Sequence, residues 1–244
     1  MGKHLKRLNA PKSWKIPRKR NVWVVKPRPG PHRLMESLPL LLVARDYLGL
    51  AETTREAKRI INEGKILVNK EERTDHRFPV GLMDIIEIPE AKERRIVILD
   101  KKGNLILKKL SKKNTNAKLC KIKNKTILKG GNVQLNLHDG QNILVEVKNP
   151  KSPKEDVYKT RDSLLIDLKT GKISSHMRYK KGSIALVTGG SHRASVAKID
   201  DIKILNSPQP NVVMLSSDKK KFQTIEDYVF VIGEKEPVIP EVAK

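Results

Sequence analysis

An α+β fold built from several modules is predicted by three features of the 244-residue sequence. The first stretch is rich in Lys, Arg and Pro, a short segment then has helical spacing of apolar residues, and the remainder has short apolar runs separated by turns. We therefore expect a basic extended N-terminal arm (1–36), a small domain with two helices and a sheet (37–92), a central all-β domain (93–176), and a small β-barrel with the C-terminal segment (177–244).

The charge balance predicts a polyanionic partner. Lys and Arg total 51 against 27 Asp and Glu, which gives a formal net charge of +24. Such an excess binds nucleic acid through phosphates before any base is read. Binding to an anionic membrane surface would need a basic amphipathic helix or a lipidation signal, and we find neither. The longest apolar run, 38–44, is too short to span a bilayer, and no signal-peptide pattern is present, so we expect a cytoplasmic protein.

The arm has an unusually uniform charge. Eleven Lys or Arg and no Asp or Glu lie between Met1 and Arg33, and five prolines exclude a long helix. We expect an extended segment that is disordered in the free protein and ordered when bound. Trp14 and Trp23 lie among these cations, where they could stack on unpaired bases or could equally attach the arm to the protein's own body.

Two helices are predicted after the arm. Ser37 can cap the first, which has an apolar face and ends at Gly49. Thr53 and Glu56 have the spacing of a capping box for the second, and Gly64 is placed to end it. Ala57, Ile60 and Ile61 form the inward stripe of that second helix; Arg55, Lys58, Arg59 and Asn62 lie on its other face.

Strands are predicted from there to the C-terminus. The segments 65–69 and 84–88 alternate as two paired strands. From Arg94 onward the helical period disappears, and turns are predicted at 102–104, 130–132, 139–140 and 170–171. The single cysteine, Cys120, excludes an internal disulfide, and we expect it to be a small packed side chain.

Three strings in the helical segment carry a family resemblance: RDYL (45–48), TREAKRII (54–61) and GKILVN (64–69). They resemble the αL-type RNA-binding domain, which is found in ribosomal proteins, pseudouridine synthases and tyrosyl-tRNA synthetases. The resemblance implies that basic residues on one side of two packed helices meet the phosphates and shape of structured RNA.

A second resemblance lies near the C-terminus. The string KGSIALVTGGSHR (181–193) resembles a KOW motif, a strand–loop–strand unit of small barrels. The motif usually has two further glycines where this chain has Ala194 and Ala197, and alanine tolerates positive φ poorly. Lys180, Lys181, His192, Arg193 and Lys198 give this unit a basic rim.

The order of these modules, with SLPLLL (37–42), HDGQNIL (138–144) and FQTIEDYVFVIG (222–233), resembles the archaeal and eukaryotic type of small-subunit ribosomal protein four. The resemblance covers nearly the whole chain. It implies a ribosome-bound structural protein whose partners are small-subunit ribosomal RNA and neighbouring ribosomal proteins, with no membrane, small-molecule substrate, cofactor or metal. The expected RNA-binding residues are Lys3, Lys6, Arg7, Lys12, Trp14, Lys15, Arg18, Lys19, Arg20, Arg45, Thr54, Arg55, Lys58, Arg59, Asn69, Lys181, His192 and Arg193.

Three other functions agree less well with the sequence. Arg45-Asp46 is superficially similar to the catalytic loop of a pseudouridine synthase, but Asp46 falls on a helix and the β-rich remainder has no evident catalytic domain. The histidines are scattered without ligand spacing, so metal chemistry has no basis. A factor that binds transiently would fit the KOW unit, but it fits the long cationic arm poorly, since such an arm loses entropy each time it becomes ordered.

Overall fold

The computed structural model describes residues 4–110, 116–149, 154–217 and 220–243. The chain divides into two compact units, Met1–Lys118 and Leu119–Lys244. Strands dominate both units, and the helices are few and short. In the described part of the chain, none of the helices has the length and apolar character needed to cross a membrane.

The arm forms a short ribbon inside the first unit. Strand β1 (Leu5–Lys6) pairs with β2 (Trp23–Val24) in antiparallel orientation, and a 3-10 turn follows β1. The connection between the two strands is irregular, as its prolines require. Arg18 fastens this connection, because its guanidinium donates to the carbonyls of Ala10 and Pro11 at 2.7 Å each.

The arm is attached to the helices of its own unit. Trp14 is only 2% exposed, and its indole N–H donates to the Ser37 carbonyl at 2.7 Å. The Lys15 amide donates to the Tyr47 hydroxyl at 2.9 Å. The structure therefore differs from the expected disordered arm. The physical reason is the burial of apolar side chains. Trp14 and Ile16 are buried within the unit, and this burial stabilises the segment.

The first helix is shorter than predicted. Helix α1 (Leu40–Leu42) continues as a π-helical turn, Val43–Tyr47, and Ser37 lies before both in strand β3 (Ser37–Pro39). The predicted cap at Ser37 is therefore wrong. Backbone groups replace it, because the carbonyls of Phe78 and His76 accept the first two amides of α1 at 2.9 Å each.

The second helix, α2 (Thr54–Asn62), begins where the sequence predicts. The Thr53 side chain accepts the Glu56 amide, and the Glu56 side chain accepts the Thr53 amide, so the capping box is confirmed. Ala57 and Ile61 are fully buried, whereas Ile60 is half-buried. Gly64 follows in the left-handed region at φ +70°, as expected of a helix end.

A five-stranded antiparallel sheet completes the first unit, in the order β5-β4-β7-β8-β9. Its strands are β4 (Leu67–Val68), β5 (Glu71–Glu72), β7 (Ile85–Ile88), β8 (Glu93–Leu99) and β9 (Leu105–Lys109). A separate strand, β6 (Pro79–Gly81), pairs with β3. The predicted pairing of 65–69 with 84–88 is confirmed between β4 and β7.

The expected four-segment division stays a prediction, and at one place the sheet crosses it. Ile88 of β7 pairs with Glu93 of β8 across the 92/93 boundary. The compact unit continues to Lys118, because β8 and β9 extend the sheet that the helical segment began.

The second unit contains two five-stranded sheets. The first has the order β12-β11-β10-β13-β14, formed by β10 (Ala117–Ile127), β11 (Val133–Leu137), β12 (Asn142–Val145), β13 (Ser163–Asp167) and β14 (Ile173–Met177). The predicted turns at 130–132, 139–140 and 170–171 join its hairpins. Cys120 is buried in its core beside Ile122 and Leu135, which confirms its packing role.

The second sheet of this unit has the order β18-β17-β16-β15-β19. Its strands are β15 (Ile184–Val187), β16 (Val196–Lys203), β17 (Val212–Ser217), β18 (Lys220–Ile225) and β19 (Val229–Gly233), and a short helix, α3 (Pro240–Ala243), follows. All pairings described are antiparallel, and hairpins join β15 to β18 in succession, whereas β19 pairs with β15 at the opposite end of the strand order from β18.

Candidate nucleic-acid interface

Helix α2 presents a cationic face opposite its buried stripe. Arg55, Lys58 and Arg59 are all exposed, while Ala57 and Ile61 are turned inward. The Arg59 side chain is 82% exposed although it pairs with Glu63 at 2.9 Å. Arg59 and then Lys65 hold the pKa of Glu63 below its usual value. An exposed pair of this kind is worth little, so Arg59 can exchange Glu63 for a phosphate at small cost.

The same face raises the positive potential on its neighbours. Burial first, and then the Lys58 ammonium, lower the pKa of His76. His76 follows Asp75, whose carboxylate is shared with Arg28 at 3.2 Å. Protonation of His76 is therefore opposed first by burial and then by the Lys58 charge.

Arg45 joins the two helices at the edge of this face. Its guanidinium donates to the Thr54 hydroxyl at 2.8 Å and to the Asp46 carboxylate at 2.9 Å. The Asp46 carboxylate therefore accepts hydrogen bonds from Arg45 and orients its side chain. This structural role accounts for the Arg45-Asp46 pair without catalysis. RNA contact by Arg45 and Thr54 stays a prediction.

The side chain of Asn69 bonds within its own unit, and the RNA contact predicted for it stays a prediction. Its amide nitrogen donates to Asp84 at 2.9 Å, and its amide oxygen accepts the Ile85 amide at 2.9 Å. The residue has φ +53°, a conformation that Asn tolerates better than most side chains. Backbone conformation and the Asp84 contact therefore account for this asparagine.

Asp84 is the centre of a buried polar cluster that sequence reasoning missed. Lys118 reaches it at 2.7 Å and His32 at 2.9 Å, and the Asp84 and Lys118 side chains are each 1% exposed. Burial raises the pKa of Asp84, but Lys118 and His32 outweigh burial and hold that pKa well below its usual range. Gly81 makes the approach possible, because a Cβ there would lie 2.3 Å from His32 Cγ.

The cations of the arm have two environments. The exposed ones, which agree with the predicted surface, are Lys6, Lys12, Lys15, Lys19 and Arg20. Arg7 and Trp14 are buried and Arg18 donates to backbone carbonyls, so these three have other contacts within the first unit, and their RNA contacts stay a prediction. Lys3 lies outside the described residues. Trp23, by contrast, is 57% exposed.

The predicted basic residues of the second unit lie in two places, His192 and Arg193 in the β15–β16 loop and Lys181 just before β15. His192 is exposed and its ring stacks on Phe222, with ring centroids 4.3 Å apart. Lys181 is exposed and pairs with Asp201 at 2.6 Å, which lowers the pKa of Asp201. Arg193 is half-buried. Ala194 has φ +67°, so the loop retains the left-handed turn for which glycine is the usual residue.

One side-chain group in the second unit has the composition of a metal site. Cys120, His138 and Asp139 place one ligand atom each within 4.8 Å of one another. However, His138 Nδ1 accepts the Lys121 amide at 3.2 Å, so a neutral ring carries its proton on Nε2. A histidine that binds zinc uses its unprotonated nitrogen for the metal, while its other nitrogen donates a hydrogen bond. In His138 the unprotonated nitrogen, Nδ1, already accepts the Lys121 amide. The ring is therefore oriented for packing rather than for a metal.

The fold and the exposed cations together define a modular protein that binds nucleic acid. Comparison with known families narrows this class. Residues 1–35 match the RS4NT (NUC023) domain, residues 46–86 match the S4 domain, and residues 91–173 match ribosomal family S4e.

Individual relatives agree with these matches. Small ribosomal subunit protein eS4 of Methanocaldococcus jannaschii is 48% identical over 97% of this chain and 96% of its own length. The same protein of Methanococcus vannielii is 47% identical over 97% and 96%. The crystal structure of 30S ribosomal protein S4e from Thermoplasma acidophilum, 33% identical, covers 82% of this chain and 96% of its own, with a TM-score of 0.67. This chain belongs to the eS4 family of small ribosomal subunit proteins.

Proposed function

We propose that this chain is a structural constituent of the small ribosomal subunit, which binds ribosomal RNA and supports subunit assembly and translation. The observation that carries the proposal is the likeness to eS4 proteins along 97% of the chain. The exposed cations of α2 supply the physical means, because phosphates are the ligands they suit. The protein acts in the cytoplasm within the ribosome and contacts neighbouring ribosomal proteins.

The family is one of ribosomal structural proteins, so this chain performs no chemistry. Asp46 acts through its pair with Arg45, as its 2.9 Å contact supports. A pseudouridine synthase would need a catalytic domain around that carboxylate. The π-helical turn that carries Asp46 packs instead against α2.

Within the proposed interface, RNA contacts come from three places. They are the exposed arm cations, the α2 face with Arg45 beside it, and the β15–β16 loop with Lys181 just before β15. The residues are Lys6, Lys12, Lys15, Lys19, Arg20, Arg45, Thr54, Arg55, Lys58, Arg59, Lys181, His192 and Arg193.

We further propose that the β15–β19 sheet is a small KOW-type barrel. The support is the strand–loop–strand order of β15 and β16 and the left-handed turn at Ala194. Ala197, the other alanine that replaces a glycine of the motif, does not need a left-handed backbone. It lies in β16 opposite Ala185, where any residue fits the backbone.

Cross-linking in cells, followed by sequencing of the bound RNA, tests the function. We expect reads concentrated on small-subunit ribosomal RNA. Salt washing of intact particles separates a permanent constituent from a transient factor, because a factor held at the surface mainly by phosphates is released as salt rises, whereas a constituent enclosed by folded RNA and neighbouring proteins stays bound. Release at moderate salt, or reads spread over unrelated RNAs, would contradict the proposal.

A further inference from the structure

The ribbon of the arm has one face turned to solvent, which carries an exposed tryptophan. In the antiparallel pair, Leu5 is opposite Val24 and Lys6 is opposite Trp23. Leu5 and Val24 are half-buried, whereas Lys6 and Trp23 are exposed. Because successive side chains of a strand alternate between faces, Lys6 and Trp23 share the outer face of the ribbon.

On this outer face the Trp23 ring lies beside the Lys6 side chain. The His4 ring lies 5.8 Å from the Trp23 ring, tilted by 58°. His4 and Lys6 are two residues apart in the chain, so both flank the indole on one face. Directly opposite residues in such a pair have Cβ atoms about 5 Å apart, which is close enough for Lys6 to hold a phosphate beside a ring stacked on Trp23.

The position of the indole is fixed by the rest of the arm. The Arg7 amide donates to the Val22 carbonyl at 2.8 Å, which extends the pairing by one residue. Trp14 anchors the connecting segment in the interior of the unit. Trp23 is therefore presented on an ordered ribbon, and little entropy is lost when a ligand stacks on it.

Charge decides which ligand suits this face. No acidic residue precedes Glu36 in the chain, and Lys6, Lys19 and Arg20 are exposed around the ribbon. A protein surface docked on Trp23 would meet this uncompensated positive field, whereas an RNA strand neutralises it while offering flat bases. We propose that Trp23, flanked by His4 and Lys6, is a stacking site for one unpaired nucleobase of RNA. This inference rests on the proposed RNA-binding function.

The test compares a single-stranded oligoadenylate with a fully paired RNA duplex of equal length. The proteins are full-length wild type, Trp23→Leu, Trp23→Phe and, as a control, Leu8→Ser, which removes an equally exposed apolar side chain from the same arm. Tryptophan emission reports the contact directly, because Trp14 is buried and Trp23 is not.

We expect the single strand to quench wild-type emission, and Trp23→Leu to lose affinity for it by about five- to a hundredfold. Trp23→Phe should retain most of the affinity, and Leu8→Ser should change it little. The ratio of wild-type to Trp23→Leu affinity should stay constant as salt rises, because stacking releases no counterions. Duplex affinity should be unaffected by any of these variants.

Equal affinity of wild type and Trp23→Leu for the single strand, with normal RNA binding, would overturn the stacking site and leave the proposed function standing. A loss in Leu8→Ser as large as in Trp23→Leu, without quenching, would also overturn it, since that result assigns the patch to an apolar partner. Failure of the wild type to bind either RNA would overturn both proposals together.

Discussion

The face of α2 and the cluster around Asp84 contain the same kinds of charged residue in opposite surroundings. Arg59 is 82% exposed and its pair with Glu63 is open to water, whereas Lys118 and Asp84 are each 1% exposed. In water a pair is worth little and can be exchanged, but in the interior each charge depends on its partner. The difference separates cations that are available to RNA from cations that hold the fold.

This comparison also limits what net charge means. The excess of +24 includes Lys118, Arg7 and Arg18, which are buried or committed to the protein's own backbone. The surface available to RNA is therefore set by position in the fold, and counting cations overstates it.

The largest expected effect comes from removing the buried charge at Asp84. Asp84→Asn should lower the free energy of unfolding of the first unit by about 3–5 kcal/mol, because it leaves the Lys118 ammonium buried without a compensating charge. Urea unfolding followed by tryptophan emission measures this unit, since both tryptophans lie in it. A loss below about 1 kcal/mol, the value of an exposed pair, would remove the distinction between the two regions.

Acid should destabilise the first unit through the buried cluster around Asp84. The pKa of Asp84 is depressed in the folded state, so its contribution is fully present above the unfolded value of 3.8 and is lost as pH falls below it toward the folded pKa. We expect the urea midpoint of the wild type to fall more steeply between about pH 4 and pH 2 than that of Asp84→Asn. Parallel curves would mean that the carboxylate is not stabilised in this way.

A smaller effect is expected in the β15–β16 loop. Ala194→Gly should stabilise the second unit by about 1 kcal/mol, because glycine relieves the cost of φ +67° at a residue with a Cβ. Ala197→Gly is the matched control and should destabilise by roughly 0.5–1 kcal/mol, since Ala197 lies in a regular strand. Thermal unfolding of the two variants gives the comparison, and a shift of the same sign in both would contradict it.

The smallest effect is expected for the pair of Arg45 and Asp46, whose side chains are 20% and 26% exposed. Asp46→Asn should cost at most about 1 kcal/mol, because its partner Arg45 keeps Thr54 and remains accessible to water. Measured alongside Asp84→Asn in urea, it provides the more exposed reference. A cost equal to that of Asp84→Asn would place Asp46 among the residues on which the fold depends.

Local sequence predicts the features that depend on local contacts. The capping box of Thr53 and Glu56 joins residues three apart, and the hairpin turns follow glycines and asparagines in the chain. The strand pairing of 65–69 with 84–88 is predictable because both segments alternate. These elements carry their own signals, so tertiary packing does not change them.

Features that depend on distant contacts escape such prediction. His32 and Lys118 meet Asp84 from 52 and 34 residues away, and no short pattern records such a meeting. Trp14 and Trp23 lie in similar basic surroundings along the chain. Trp14 is the buried one because it packs into the unit and bonds Ser37, 23 residues away, whereas Trp23 is exposed. The prediction for Ser37 is wrong because its capping role passes to the carbonyls of residues far along the chain, His76 and Phe78.

The central claim is that the α2 face binds ribosomal RNA through phosphates. The direct measurement is the salt dependence of affinity for small-subunit ribosomal RNA, compared between wild type and a variant with Arg55→Ala, Lys58→Ala and Arg59→Ala. The control carries Lys101→Ala, Lys102→Ala and Lys169→Ala, which remove the same charge from exposed turns that are not part of α2.

For the α2 variant, we expect weaker binding and a plot of log affinity against log salt that flattens by roughly 0.7 to 0.9 for each phosphate that the protein no longer neutralises. The control should keep the wild-type slope, and the α2 variant should keep the wild-type urea midpoint. A slope unchanged in the α2 variant, or flattened equally in the control, would contradict the assignment of this face to RNA.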